Sequence, residues 1–149
     1  MHQGNGTASI FRDDPSVFTF SMLGAKNFPF RKETSDLEVE LADGTGDDEC
    51  LALLAPHLPT VVPGRTPDLV FYLAGADPYA GDRLGRLGLS VDGLRRRDEM
   101  ACAACRTAGV PIVVVMSGGY APDIEDIVTI HLNTVRAAAA TAAPWRDGP

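Results

Sequence analysis

The sequence predicts an α/β domain with a parallel sheet, and three observations lead there. Apolar runs of strand length alternate with amphipathic stretches of helix length. The runs at residues 69–73 and 112–116 are continuously apolar, as strands covered on both faces should be. Polar, glycine-containing groups follow the strands, where ligands collect in open parallel sheets.

Each element has its own local reason. Residues 17–22 are rich in β-formers and follow the turn signal Asp13-Asp14-Pro15. Residues 37–41 alternate in polarity and suit a fourth strand, at an edge or in an excursion. Residues 47–58 read as helix, strained near the end by Pro56. Leu94, Met100, Ala101, Ala104, Cys105 and Ala108 recur at helical spacing, with Gly109 where a C-terminal cap belongs. A last helix begins near Pro122 with Asp123 and Glu125. Its apolar stripe is Ile124, Ile127, Val128 and Val135. One domain over residues 1–143 is expected, then a frayed tail at 144–149.

Composition excludes several classes of function. The 149 residues carry a net charge of −7. Grip on a phosphate backbone needs a basic patch, and the densest basic run, Arg95-Arg96-Arg97, reads as the solvated face of a helix. Direct nucleic-acid binding is not expected. No apolar run spans a bilayer, and the first residues lack the basic and apolar regions of a signal peptide. Cys50, Cys102 and Cys105 form no disulfide framework. The C-x-x-C spacing of Cys102 and Cys105 falls inside an alanine-rich helix, where small packing residues are the plain reading beside a redox or metal one. A cytoplasmic setting is expected.

Three polar groups lie just past strand ends: Ser21-Met22-Leu23-Gly24, Ala74-Gly75-Ala76-Asp77-Pro78 and Ser117-Gly118-Gly119-Tyr120. His2-Gln3-Gly4-Asn5-Gly6-Thr7 has the same character. Their convergence implies a site without naming its ligand. A generic phosphate-binding module is one reading, but no glycine-rich loop has dinucleotide or P-loop spacing.

Taken in order, these strings resemble the histone deacetylase family, specifically its class IV branch and bacterial relatives. His2-Gln3-Gly4-Asn5-Gly6-Thr7 opens the series, followed by Gly24-Ala25-Lys26-Asn27-Phe28-Pro29-Phe30, Ser35-Asp36-Leu37 and Gly44-Thr45-Gly46-Asp47. Ala74-Gly75-Ala76-Asp77-Pro78-Tyr79, Gly81-Asp82-Arg83-Leu84-Gly85 and Gly118-Gly119-Tyr120 complete it, from residue 2 to about 135. The resemblance implies the C-terminal part of a three-layer arginase/deacetylase fold. It also implies a zinc-dependent deacetylase that hydrolyses N-acetyl-lysine or a related acetylated amine.

By the same resemblance, His2 and Asp77 match two of the family's three zinc ligands, and Tyr120 matches its catalytic tyrosine. Catalytic zinc keeps an open position for water and the substrate carbonyl. Phe28, Gly118 and Gly119 fall where the acetyl-lysine channel is lined, although a core phenylalanine or a simple turn would use the same residues. Phe11, Asp14, Val17, Ser21 and Met22 fall where the family holds monovalent cations such as potassium. Asp82 suits bracing of the loop as well as catalysis.

The resemblance is incomplete. The family's first aspartate ligand would stand two residues ahead of His2, and its tandem histidines further upstream; no adjacent histidines occur here, and His57 and His131 are isolated. Leu23 occupies a position that is histidine in the family, and Cys50 and Pro56 depart from its tyrosine and helix former. Two readings follow: a deacetylase fragment inactive alone, or a non-enzymatic remnant or subunit completed by a separate N-terminal half. Missing strands would leave an apolar sheet edge exposed, so self-association through that edge is expected.

Overall fold

The strands pair in parallel, as two separate pairs. In the computed structural model, which describes residues 1–142, β1 (Phe20–Gly24) lies beside β2 (Leu37–Leu41). β3 (Val70–Gly75) lies beside β4 (Ile112–Ser117), with Leu73 opposite Val115 and Gly75 opposite Ser117. The expected parallel α/β character is present. The expected tail at 144–149 lies outside the described residues.

β1 starts later than residues 17–22 suggested. The Asp36 carboxylate accepts from both the amide (2.8 Å) and the hydroxyl (2.7 Å) of Thr19, and the Val17 amide donates to Asp14 in a turn. These bonds hold the approach to the strand in a loop. A short helix, α1 (Asn5–Ile10), was not expected, because Gly4 and Gly6 weaken the helical signal.

α2 (Asp47–Leu54) ends before Pro56, and α3 (Leu58–Val61) resumes for one turn. The proline explains the break, since its ring obstructs the helix behind it. α4 (Val91–Ala108) is capped at both ends. The Ser90 hydroxyl accepts from the Gly93 amide at 2.9 Å and donates to Asp47 at 2.6 Å, which ties α4 to α2. A Cβ on Gly93 would lie 1.9 Å from the Asp47 carboxylate, so that junction requires glycine. At the other end Gly109 is left-handed, and the Val110 amide returns to the Cys105 carbonyl.

α5 (Ile124–Ala142) packs along α4. Its buried residues are Ile127, Ile130, Thr134 and Ala137, whereas Ile124, Val128 and Val135 are exposed. The expected stripe therefore merged two faces of a helix that is apolar on more than one side. The core joins Val39, Leu41, Cys50, Ala76, Leu87, Leu89, Leu94, Ile127 and Ile130. On β3 and β4 the other side is bare: Phe71, Leu73, Val113 and Val115 are 65%, 55%, 40% and 41% exposed.

The arginine run needs correction. Arg95 is on the outside, paired with Asp92 and Glu99, but Arg97 turns inward to Asp98. Consecutive helical residues are separated by about 100°, so three in a row cannot share one face. The cysteines behave as packing residues: all three are buried and free, and burial pushes every thiol up, Cys102 to about 11. No helix among the described residues is long and apolar enough to cross a membrane.

Candidate active site

Asp77 follows β3 directly, in a turn where the Tyr79 amide donates to the Ala76 carbonyl. Its carboxylate is buried and sits in a cradle of glycines. A Cβ on Gly75 would meet Asp77 Oδ1 at 2.3 Å, and one on Gly118 would meet it at 2.5 Å. Gly118 and Gly119 have φ of +63° and +113°, which also favours glycine. Gly118 is thus shaped by the carboxylate it faces, whereas a Cβ on Gly119 would meet Ile127 and Ala76 at 3.0 and 3.1 Å.

His2 reaches the same carboxylate from a distant part of the sequence. The Met1 carbonyl accepts from the Gly24 amide at 2.8 Å, which docks the first residues against β1. His2 Nε2 then lies 3.9 Å from Asp77 Oδ2. Its Nδ1 lies 2.5 Å from the Phe28 carbonyl oxygen. A carbonyl only accepts, so this bond places the proton on Nδ1 and leaves the Nε2 lone pair facing Asp77, open to a cation between the two. The Met1 amino group lies 3.8 Å from Asp77, and burial pulls its pKa down.

Imidazole nitrogen and carboxylate oxygen are both ordinary zinc donors, and the second bond on His2 is the kind that orients a ligand. His2 and Asp77 therefore fit part of a metal site. Among the described residues no group of three His, Cys, Asp or Glu side chains stands ready to hold a metal.

Tyr120 is held through its main chain. Asp82 Oδ2 accepts from the Tyr120 amide at 2.6 Å, while Oδ1 accepts from the Leu84 and Gly85 amides at 2.8 and 2.7 Å. Arg83 Nε donates to the Tyr120 carbonyl at 3.1 Å. Asp82 braces the loop, and the Tyr120 side chain remains exposed. Phe28 is not a core residue: its ring is exposed and meets Phe30 edge-on, with centroids 6.1 Å apart.

Phe11, Asp14 and Val17 lie on the stretch between α1 and β1, while Ser21 and Met22 are on β1. The Phe11 and Asp14 carbonyls accept from the Asp14 and Val17 amides, and Asp14 Oδ1 accepts from Ser16. Ser21 is buried, with Oγ 3.4 Å from the Gly4 amide. Leu23, at the departing histidine position, is fully buried.

Two residues near the site had no role in the sequence reading. His131, on α5, places Nε2 3.3 Å from the Gly118 carbonyl oxygen. Arg97 donates from Nη1 to the Gly75 carbonyl at 2.9 Å. A signal for Arg97 existed: it stands three residues after Leu94 and four before Ala101, on the buried stripe.

Parallel strand pairs flanked by helices, with His2 and Asp77 meeting past a strand end, define an α/β protein with its candidate site at the carboxyl ends of the strands. Comparison with known proteins makes this specific. The histone deacetylase domain matches residues 1–135, and the chain belongs to the histone deacetylase family. An uncharacterized protein of Picosynechococcus is 49% identical over 138 residues, covering 93% of this chain and 46% of that relative. Histone deacetylase 2 of Arabidopsis thaliana is 38% identical over 122 residues, covering 80% of this chain and 32% of its own. The chain thus spans less than half the length of these relatives. Among solved structures, acetylpolyamine aminohydrolase from Burkholderia pseudomallei superposes with a TM-score of 0.77 at 21% identity, covering 95% of this chain and 43% of that one. The histone deacetylase Clr3 superposes at 0.72 with 26% identity, covering 93% and 25%. The arginase/deacetylase fold expected from the sequence is the fold of these neighbours.

Proposed function

We propose that these residues supply part of a zinc-dependent deacetylase site acting on N-acetyl-lysine or another acetylated amine. The observation that carries this reading is the meeting of His2 Nε2 and Asp77 Oδ2 at 3.9 Å, from positions 75 residues apart (77 − 2). His2 and Asp77 would hold the metal. When bound, zinc would lower the pKa of a water and polarise the acetamide carbonyl. The Phe28 carbonyl keeps the His2 ring turned toward Asp77, and the glycine cradle fixes the carboxylate. Tyr120, anchored through Asp82, would donate a hydrogen bond from its phenol to the substrate oxygen as charge develops there. Phe28, with Gly118 and Gly119, would line the acyl channel. The carbonyls of Phe11, Asp14, Val17 and Met22, with the Ser21 hydroxyl, would contribute to holding monovalent cations such as potassium.

A second reading is favoured by the bare side of β3 and β4. Four apolar residues on adjacent strands, Phe71, Leu73, Val113 and Val115, suit a subunit completed by another polypeptide. By itself the 149-residue chain, with no adjacent histidines, would then hydrolyse no substrate.

Complementation tests both readings. The chain is co-expressed with the portion of the Picosynechococcus relative that it does not match, and release of acetate from acetyl-lysine peptide and acetylated polyamine is measured. The expected result is zinc-dependent hydrolysis by the pair, abolished by Asp77→Asn and reduced at least a hundredfold by Tyr120→Phe, with none by the 149 residues alone. A soluble, associated pair with no activity on either substrate points to a non-enzymatic remnant. Full activity of the chain alone refutes the incomplete site.

A further inference from the structure

We infer that Arg97 is a positioning residue for Asp77, acting through the Gly75–Ala76 peptide just ahead of it; this rests on the reading of Asp77 as a metal ligand. The Arg97 side chain is 13% exposed, and Asp98 beside it is 1% exposed. Buried charges are costly unless paired and hydrogen-bonded, and these are both. Arg97 Nε and Nη2 donate to Asp98 Oδ1 at 2.9 and 2.7 Å. The same carboxylate accepts from the Tyr72 hydroxyl on β3 at 2.6 Å and the Thr134 hydroxyl on α5 at 2.6 Å. Asp98 therefore orients the guanidinium against three elements.

What remains of the guanidinium is spent on one peptide. Nη1 donates to the Gly75 carbonyl at 2.9 Å, while the N–H of that same peptide, on Ala76, donates to the Ser117 carbonyl at 2.8 Å. The Gly75–Ala76 plane is gripped at both ends. Asp77 follows one peptide further on, and its carboxylate lies so close to Gly75 and Gly118 that a Cβ on either would meet it at 2.3 or 2.5 Å. Rotation of this plane would move the carboxylate and press it on its cradle. Thr134 is on the far side of Asp98 and touches none of these site groups, so it provides a control within the same network.

Amide hydrogen exchange on the metal-free chain reads the peptide directly, as the ratio of the Ala76 rate to that of Cys105, a buried residue inside α4. Overall destabilisation raises the rates together and so does not raise the ratio. Arg97→Met is expected to raise the ratio about tenfold and to weaken zinc binding about tenfold, the scale of one charge-assisted hydrogen bond. Arg97→Lys cannot reach Gly75 and Asp98 with a forked group and is expected to fall between wild type and Arg97→Met. It also serves if Arg97→Met does not fold. Thr134→Val is expected to lower stability with ratio and zinc affinity unchanged. An unchanged ratio in Arg97→Lys and in folded Arg97→Met overturns the inference. A raised ratio in a chain whose wild type binds no zinc leaves the peptide grip intact and removes the metal role of Asp77.

Discussion

The two sides of the β3–β4 pair show how differently one kind of sequence can be used. On one side Tyr72 and Ala74 face α4 and α5, and even the charged residues there are satisfied through Arg97, Asp98 and Thr134. On the other side Phe71, Leu73, Val113 and Val115 are as apolar as their neighbours and lie open. Hydrophobic composition alone does not mark which side is closed. The closed side is distinguished by specific polar partners, which burial makes obligatory.

The largest effect should come from breaking the closed side. Asp98→Ala strands Arg97 as an unpaired buried charge and unbinds Tyr72 and Thr134, so it should cost about 3–5 kcal/mol, or prevent folding, in urea denaturation. Leu94→Ala, at a fully buried core position, should cost roughly 2–5 kcal/mol by the same measurement. Ser90→Ala removes the α4 cap and its bond to Asp47, and a loss of about 1–2 kcal/mol is expected. A stability change below about 0.5 kcal/mol in Asp98→Ala would show that the network is not a structural necessity.

The open side should respond in the opposite way. Leu73→Gln should change monomer stability by no more than about 0.5 kcal/mol, yet reduce self-association in sedimentation velocity. A stability loss as large as that of Leu94→Ala would mean that this side is packed in solution. The smallest effect belongs to Asp36, whose carboxyl is held below its ordinary value by the amide and hydroxyl of Thr19. A depressed carboxylate stabilises the fold above its unfolded pKa and loses that contribution as pH falls through the folded one. Asp36→Asn should therefore lower stability slightly above about pH 4 and converge on the wild type below it, which flattens the acid side of the profile.

The same contrast explains what was legible in the sequence. β3, β4, α4 and α5 announce themselves through long apolar runs and through the Gly109 cap. The pairing into two separate ladders does not, because a strand's period carries no record of its neighbour. Asp77 was readable from its place after a strand and within a motif. The approach of His2 was not readable from residues alone, since nothing local to either links positions so far apart. Arg97 looked like surface because it sits in a basic run; its helical phase, four residues before Ala101, pointed inward. Phe28 and Tyr120 needed the structure to separate exposure from core packing.

Zinc titration of the 149-residue chain, beside Asp77→Asn and His2→Ala, reads whether these two side chains share a metal. One weak site in the wild type, weakened at least tenfold in each variant, is the result predicted for donors that converge at 3.9 Å. Zinc binding in Asp77→Asn as tight as in the wild type would contradict it.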